Sequence, residues 1–134
     1  MTDSRSDRLV VKGAWGTVEY AVRSSGKMLA KDWIDGEPEQ VQSKFAHLFR
    51  KIAETGKISN TKQFRTLQND IWEFKRDSNR ILCFQMGNRW FLTHRYQKQR
   101  RKCPPREIEI AIAIKGEHVQ KEMEENQRKK RGRE

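Results

Sequence analysis

The sequence predicts an α+β protein with a small antiparallel sheet of about four strands and two to three helices. Three observations favour this class. Residues 71–94 divide into three strand-like runs separated by turn residues, and residues 38–56 follow a helical period. A further helix is expected to open at a pair of prolines, Pro104 and Pro105. At 134 residues, the chain has the length of one domain with a modest core.

The first half of the chain predicts one strand, one loop and one helix. Alternating residues over 16–22 indicate a strand, and the Ser and Gly residues within 24–36 indicate a connecting loop. A helix is expected from Pro38 to Gly56, because the apolar residues between them recur at helical spacing. Residues 58–70 fit either a short second helix or a packed loop. The apolar stripe of the helix consists of Val41, Phe45, Leu48, Phe49 and Ile52.

Turn lengths predict how the three strands pair. A two-residue loop at 87–88 would place Arg80 opposite Arg95. A three-residue loop at 77–79 would place Arg76 opposite Arg80, whereas a one-residue shift there would separate them. Like charges that face each other destabilise a sheet, so such arginines would either hold an anion between them or splay into water.

The net charge of +11 and a pI near 10.0 indicate nucleic acid or another acidic partner. Six Lys or Arg and no acid lie between Arg95 and Arg106, these two included. Tyr96 could stack on an RNA base or be an ordinary residue at a strand end, and the cations that follow it could be a solvated run. The RNA-binding candidates are Arg76, Arg95, Tyr96, Arg100, Arg101 and Lys102.

Several other classes of protein are disfavoured. No apolar run approaches the roughly 20 residues that cross a bilayer, and the N-terminus lacks the apolar region of a signal peptide. We therefore expect no membrane association and a cytoplasmic location. Cys83 and Cys103 show neither metal spacing nor a disulfide framework, so we expect no metal and no cofactor.

The order of motifs over about residues 40–118 resembles the RelE/HigB superfamily of toxins from type II toxin–antitoxin systems, in particular its phage-derived, HigB-like branch. The combined order is more specific than any single motif. The matching residues are Trp72-Glu73-Phe74, Asn79-Arg80-Ile81-Leu82, Gly87-Asn88, Leu92-Thr93-His94, Tyr96-Gln97-Lys98, Pro104, Glu107-Ile108 and Ala111.

The resemblance implies a compact RelE-like domain, which we assign to residues 14–118. Residues 1–13 would be a flexible extension, and residues 119–134 a charged, frayed or disordered tail that either solubilises the protein or grips ribosomal RNA. The resemblance also implies a ribosome-dependent mRNA endonuclease that inhibits translation. Its partners would be the ribosome, mRNA and a cognate antitoxin with a helix-turn-helix.

The resemblance carries candidate catalytic roles over to four residues. Arg80 would stabilise the phosphate, and Lys98 matches the basic residue that follows the last strand. His94 matches a histidine whose role is either proton transfer or structure, and Lys75 lies at a strand end where relatives place basic residues. The general base could be His94, Lys75 or Lys98.

This chain also departs from the family's pattern. Arg95 stands where the family often has Gly, and Gln99 stands where a second lysine is common. Two alternatives therefore accompany the nuclease hypothesis. One is a non-nuclease protein of the same fold, such as a gyrase inhibitor or a phage regulator. The other is a general RNA-binding module.

Overall fold

The chain folds into a six-stranded mixed sheet with helices on both faces, in a computed structural model that describes residues 6–132. The expected α+β class is confirmed, and three α-helices accompany the sheet. The sheet has six strands instead of about four, and one pair of them is parallel. The elements are β1 (Leu9–Lys12), β2 (Thr17–Tyr20), α1 (Leu29–Asp35), α2 (Glu39–Thr55), β3 (Phe64–Thr66), β4 (Trp72–Arg76), β5 (Asn79–Met86), β6 (Arg89–Gln97) and α3 (Pro105–Arg131).

The strand order is β1-β2-β6-β5-β4-β3. Only β2 and β6 run parallel among the described strands, with Val18 opposite Trp90. A parallel pair requires a long crossover, and here two helices and three strands lie between its members along the chain. The first strand predicted from the sequence is confirmed as β2, and it lies beside the last strand of the chain, inside the sheet.

One face of the sheet is covered by α1 and α2. The predicted stripe of α2 is confirmed, because Phe45, Leu48, Phe49 and Ile52 are all buried in it. The helix ends at Gly56, as expected, with a φ of 83° that favours glycine. Burial of each such side chain contributes about 1.5–3 kcal/mol to folding.

The loop predicted over residues 24–36 is wrong in part, because it contains the seven-residue helix α1. Ala30 and Ile34 are buried one turn apart, and Trp33 meets Phe45 edge-on with ring centroids 5.9 Å apart. A helix this short is marginal by itself and depends on tertiary packing. Its local sequence therefore carries little helical signal.

The opposite face of the sheet is covered by α3, which begins at Pro105 as the prolines predicted. Ile108, Ala111 and Ile114 form its buried stripe. They belong to a second core with Leu82 and Phe84 of β5. Among the described residues, no helix is both long and apolar enough to span a membrane.

The second half of α3 is attached to the sheet by charged side chains. The frayed tail expected from residue 119 onward is helical as far as Arg131, and the last two residues lie outside the described range. This part of the sequence has few apolar residues that could pack against the sheet. Carboxylates provide the contacts instead. The ion pairs are Glu117–Arg23 at 2.7 Å, Glu122–Arg89 at 2.7 Å and Glu125–Arg8 at 3.1 Å.

The flexible extension expected over residues 1–13 also contains regular structure. A 3₁₀ turn at Ser6–Arg8 leads into β1, which pairs antiparallel with β2. Residues 1–5 of that extension lie outside the described range. Residues 58–70, predicted as a helix or a loop, contain the short edge strand β3.

The register at the β4–β5 turn differs from the three-residue loop we predicted. The turn has two residues, so Arg76 pairs with Asn79 and Lys75 pairs with Arg80. Asp77, at the first turn position, has a positive φ of 53°, which Asp tolerates better than most residues. The predicted pairing of Arg76 with Arg80 is therefore wrong, and the strands adopt the register that is shifted by one residue.

The two-residue turn between β5 and β6 is confirmed, but the pairing changes along the strands. Met86 faces Arg89 beside the turn, and a bulge between Ile81 and Cys83 then shifts the register. As a result Arg80 faces Tyr96 instead of Arg95. A bulge adds a residue to one strand, and the side chains beyond it therefore point to the other face of the sheet.

The attachment of α3 gives a pH-dependent prediction at Glu122. Burial raises the pKa of its carboxyl, but hydrogen bonds from His118 and Arg89 outweigh burial and lower the pKa to about 2, from an ordinary 4.5. Because the pKa is depressed in the folded state, its stabilisation is present above about pH 4.5 and is lost as the pH falls towards 2.

We expect Glu122→Gln to lower the free energy of unfolding by about 1–2 kcal/mol at neutral pH. The gap between wild type and variant should shrink between pH 5 and pH 2, as measured by urea unfolding. Glu109→Gln, which makes the same change at an exposed position of the same helix, is the control. A gap for Glu122→Gln that stays constant with pH would contradict the assignment.

Candidate functional site

Four cations lie at one end of the sheet, on the face that α3 covers. They are Arg65 of β3, Lys75 of β4, Arg80 of β5 and Lys98 just after β6, and we call them the strand-end cluster. The register Lys75–Arg80–Tyr96 brings residues of three neighbouring strands side by side. Of the four predicted catalytic residues, the cluster contains Lys75, Arg80 and Lys98.

Arg80 is held rigidly at the centre of this cluster. It is only 5% exposed, and its Nη1 donates to the carbonyl oxygens of Asp77 at 2.7 Å and Asn79 at 3.0 Å. Within the described chain its Nε and Nη2 donate to no acceptor. A guanidinium fixed through one nitrogen keeps a planar edge for a phosphate, the group that it binds best.

The ammonium group of Lys75 is easier to deprotonate than that of an ordinary lysine. Burial is the main cause of its lowered pKa, and the positive charges of Arg65, Arg80 and Lys98 lower the pKa further. The carboxylate of Glu73 opposes this shift. The Lys75 Nζ also donates to the carbonyl oxygen of Thr61 at 3.1 Å, which positions it at the strand end. A lowered pKa increases the fraction of neutral amine, which is the form that accepts a proton.

A buried carboxylate lies behind the cations. Glu73 has no exposed surface. The Tyr96 hydroxyl donates to its Oε2 at 2.9 Å, and the Arg65 Nε donates to its Oε1 at 2.8 Å. Sequence reasoning missed Arg65, because the strand β3 that places it opposite Glu73 was not predicted. Arg65 also lines a shallow pocket of about 320 Å³ with Lys102 and Cys103.

The burial of Tyr96 disfavours the RNA-stacking role predicted for it. The residue is 8% exposed and belongs to the core beneath α3. Burial, followed by the Cys103 hydrogen bond and the charge of Glu73, raises the pKa of its hydroxyl far above the ordinary value. Tyr96 therefore acts as a donor to Glu73, and its ring is packed against protein.

His94 lies against α3, and none of its hydrogen bonds or ion pairs in the described chain involves the strand-end cluster. It is 6% exposed, and its Nδ1 is 3.2 Å from the hydroxyl of Thr93. Its Nε2 is 3.5 Å from Oε2 of Glu107, and neither atom has a hydrogen-bond partner among the described residues. Burial lowers the pKa of this imidazole, and Glu107 opposes the shift. The arrangement favours the structural role over proton transfer.

Two predicted RNA-binding arginines extend from the opposite face of the sheet. The Arg95 guanidinium lies 4.9 Å from the ring centre of Trp33 and donates from Nη2 to Oδ1 of Asn79 at 2.8 Å. The Arg76 Nε donates to the carbonyl oxygen of Lys44 at 3.2 Å. The structure does not bring either of them together with Arg80.

The remaining predicted cations lie on the loop between β6 and α3. Lys98, Arg100, Arg101 and Lys102 are all exposed. The loop is attached at two points, because the Lys98 amide donates to the Ser78 carbonyl at 2.7 Å and the Arg101 carbonyl accepts from Arg65 at 3.4 Å. Within the described chain, no hydrogen bond or ion pair fixes these four side chains.

The site contains no obvious metal ligands. Over residues 6–132, no three His, Cys, Asp or Glu side chains come together in a way that could hold a metal ion. Cys83 and Cys103 are both buried and free. Any chemistry at the strand-end cluster that uses this chain's own groups would rely on guanidinium and ammonium charges.

The fold and the strand-end cluster define the class of the protein: it is a small, basic α+β protein with a cationic site at one end of its sheet. Comparison with protein families narrows the class. A family model described as phage-derived protein Gp49-like (DUF891) matches residues 32–115. The chain therefore belongs to the Gp49-like family of phage-derived proteins. A search of curated proteins found no significant match.

The Glu73–Tyr96 contact gives a stability prediction. We expect Tyr96→Phe to lower the free energy of unfolding by about 1–3 kcal/mol, because a buried carboxylate loses one of its two donors. Tyr20→Phe is the matched control, since Tyr20 is equally buried but its hydroxyl bonds to no group in the described chain. Equal losses in the two variants, measured by urea unfolding, would contradict the role of the Tyr96 hydroxyl.

Proposed function

We propose that this protein is the toxin of a toxin–antitoxin system, and that it inhibits translation by cutting ribosome-bound mRNA. Membership of the Gp49-like family is compatible with a toxin. The observation that carries the nuclease proposal is the strand-end cluster, in which a fixed Arg80 lies beside a lysine of lowered pKa. The proposed place of action is the cytoplasm, where ribosomes work.

The proposed reaction is a transesterification within the RNA. The ribose 2′-hydroxyl loses its proton to a base and attacks the adjacent phosphorus. Negative charge then develops on the phosphorane, and the bond to the 5′-oxygen breaks as that oxygen takes up a proton. The products are a 2′,3′-cyclic phosphate and a 5′-hydroxyl.

The geometry suggests a role for each member of the cluster. Arg80 would stabilise the phosphorane through its free guanidinium edge, and Lys75 would be the general base. Lys98, which is exposed on the loop, would contact the phosphate or donate the proton to the leaving oxygen. Arg65 would add positive charge while holding Glu73. His94 has no role in this proposal, because its ring is packed against Glu107.

The Arg80 assignment is tested by comparing two arginine variants in cells. We expect Arg80→Ala to abolish both growth arrest and mRNA cutting after induction. Arg95→Ala, which removes a cation from the opposite face of the sheet, should remain toxic. Circular dichroism melting of both purified variants checks that they are folded. A folded Arg80→Ala variant that still cuts mRNA would refute the phosphate assignment.

The Lys75 assignment predicts a large kinetic effect. Removal of a general base costs about 10²–10⁴-fold in rate, so Lys75→Met should slow single-turnover cutting of ribosome-bound mRNA to that extent. Methionine retains the length and apolar stem of the side chain. His94→Gln is the comparison and should slow cutting much less. The reverse order of the two effects would transfer the base role to His94.

A toxin requires a specific inhibitor, so we also propose a cognate antitoxin with a helix-turn-helix. Co-expression of a small neighbouring gene should then restore growth. Growth arrest without new mRNA ends would instead favour a gyrase inhibitor. The absence of arrest would favour a regulator or RNA-binding module of the same fold.

A further inference from the structure

A second basic feature lies beside the strand-end cluster, on the other side of Lys75. It is an open groove of about 620 Å³ between α2, the segment that precedes β3, and the end of β4. Lys44, Lys62, Lys75 and Arg76 line it. We call it the α2–β4 groove. Its volume falls within the roughly 300–1,000 Å³ that is usual for small-ligand sites.

The charge of the groove favours an anion. One acid, Asp77, lines it within the described chain, and Asp77 forms an exposed ion pair with Lys44 at 2.9 Å. Three further cations line the groove without a carboxylate partner there. Exposed ion pairs contribute little, so an incoming phosphate could displace Asp77 from Lys44 at small cost.

One residue that lines the groove, Gln63, has a buried acceptor without a donor in the described chain. The Oε1 of Gln63 is buried and has no hydrogen-bond partner among the described residues. The backbone around it is fixed, because its N–H donates to the Asn60 carbonyl at 2.9 Å and its carbonyl accepts from the Lys75 N–H at 2.8 Å. A buried acceptor left unpaired is destabilising, so the side chain gains a hydrogen bond if it turns its Oε1 towards a ligand donor in the groove.

We propose that the α2–β4 groove binds one nucleotide of single-stranded RNA next to the phosphate at the strand-end cluster. Lys62 and Arg76 would contact its phosphate, and Gln63 would accept a hydrogen bond from its 2′-hydroxyl or an exocyclic amino group. Lys75 connects the two sites, because it lines the groove and its charge is coupled to Arg65, Arg80 and Lys98. The inference rests on the proposed function and adds a substrate-binding subsite to it.

The test is a matched pair of charge reversals. Lys62 lines the groove, whereas Lys57 is an exposed lysine five residues earlier that does not line it. Lys62→Glu and Lys57→Glu change the net charge equally, so they separate a local contact from the general field of the protein. Binding of a fluorescent single-stranded RNA is measured by anisotropy at several salt concentrations, with the full chain.

We expect Lys62→Glu to weaken RNA binding on the order of tenfold more than Lys57→Glu. The slope of log K against log salt concentration should also become less steep by about 0.7, which is the contribution of one phosphate contact on a single strand. Equal affinities for the two variants would overturn the proposal. So would an absence of RNA binding by the wild type, or a selective Lys62 effect on duplex DNA or an acidic peptide instead of RNA.

A neutral substitution tests the acceptor. Gln63→Met keeps the size of the side chain and removes the carbonyl oxygen, so RNA affinity should fall several-fold while the salt slope stays unchanged. An unchanged affinity would overturn the Gln63 contact.

A failure of the groove proposal can be distinguished from a failure of the nuclease proposal. Loss of binding by Lys62→Glu together with a wild type that cuts no mRNA would refute the nuclease and support the groove. Normal cutting with equal binding by the two Lys→Glu variants would refute the groove alone.

Discussion

The organisation of the site depends on one buried carboxylate. Glu73 has no exposed surface, and a carboxylate in that position is stable only if its oxygens are satisfied. Its two donors come from different strands, Tyr96 of β6 and Arg65 of β3. The carboxylate therefore ties three strands of the sheet together. Because side chains alternate along a strand, Lys75 lies on the same face as Glu73, at the exposed strand end.

Charge is distributed unequally over the molecule. Many of the acids pair with arginines away from the strand-end cluster, so the cations of the cluster are only partly neutralised. Acids of α3 and β2 pair with arginines on the side of the sheet that β1, β2 and the start of β6 form. Glu117, Glu122 and Glu19 take part in these pairs. At the β4–β5 end, by contrast, Glu73 faces several cations. The repulsion that remains there contributes to the lowered pKa of Lys75. An anionic substrate would relieve it.

Elements with a strong local pattern were predictable from the sequence, and those that depend on distant contacts were not. The stripe of α2, the proline start of α3 and the three strands between residues 71 and 97 are confirmed. The α1 helix and β3 were missed, because they are short and stabilised by packing against partners far along the chain. Arg80 and Lys75 do lie together at one strand end. The bulge after Ile81 and the two-residue turn at Asp77 decided which arginines meet, and neither has a clear sequence signal.

The most direct measurement of the central claim is the chemistry of the cut ends. RNA from induced cells would be ligated selectively through either 5′-hydroxyl or 5′-phosphate termini and then sequenced. Attack by the 2′-hydroxyl at the strand-end cluster produces 5′-hydroxyl ends on one fragment and 2′,3′-cyclic phosphates on the other. The account predicts such ends within translated regions. New ends that carry 5′-phosphates, or no new ends during growth arrest, would contradict a nuclease that works through Arg80 and Lys75.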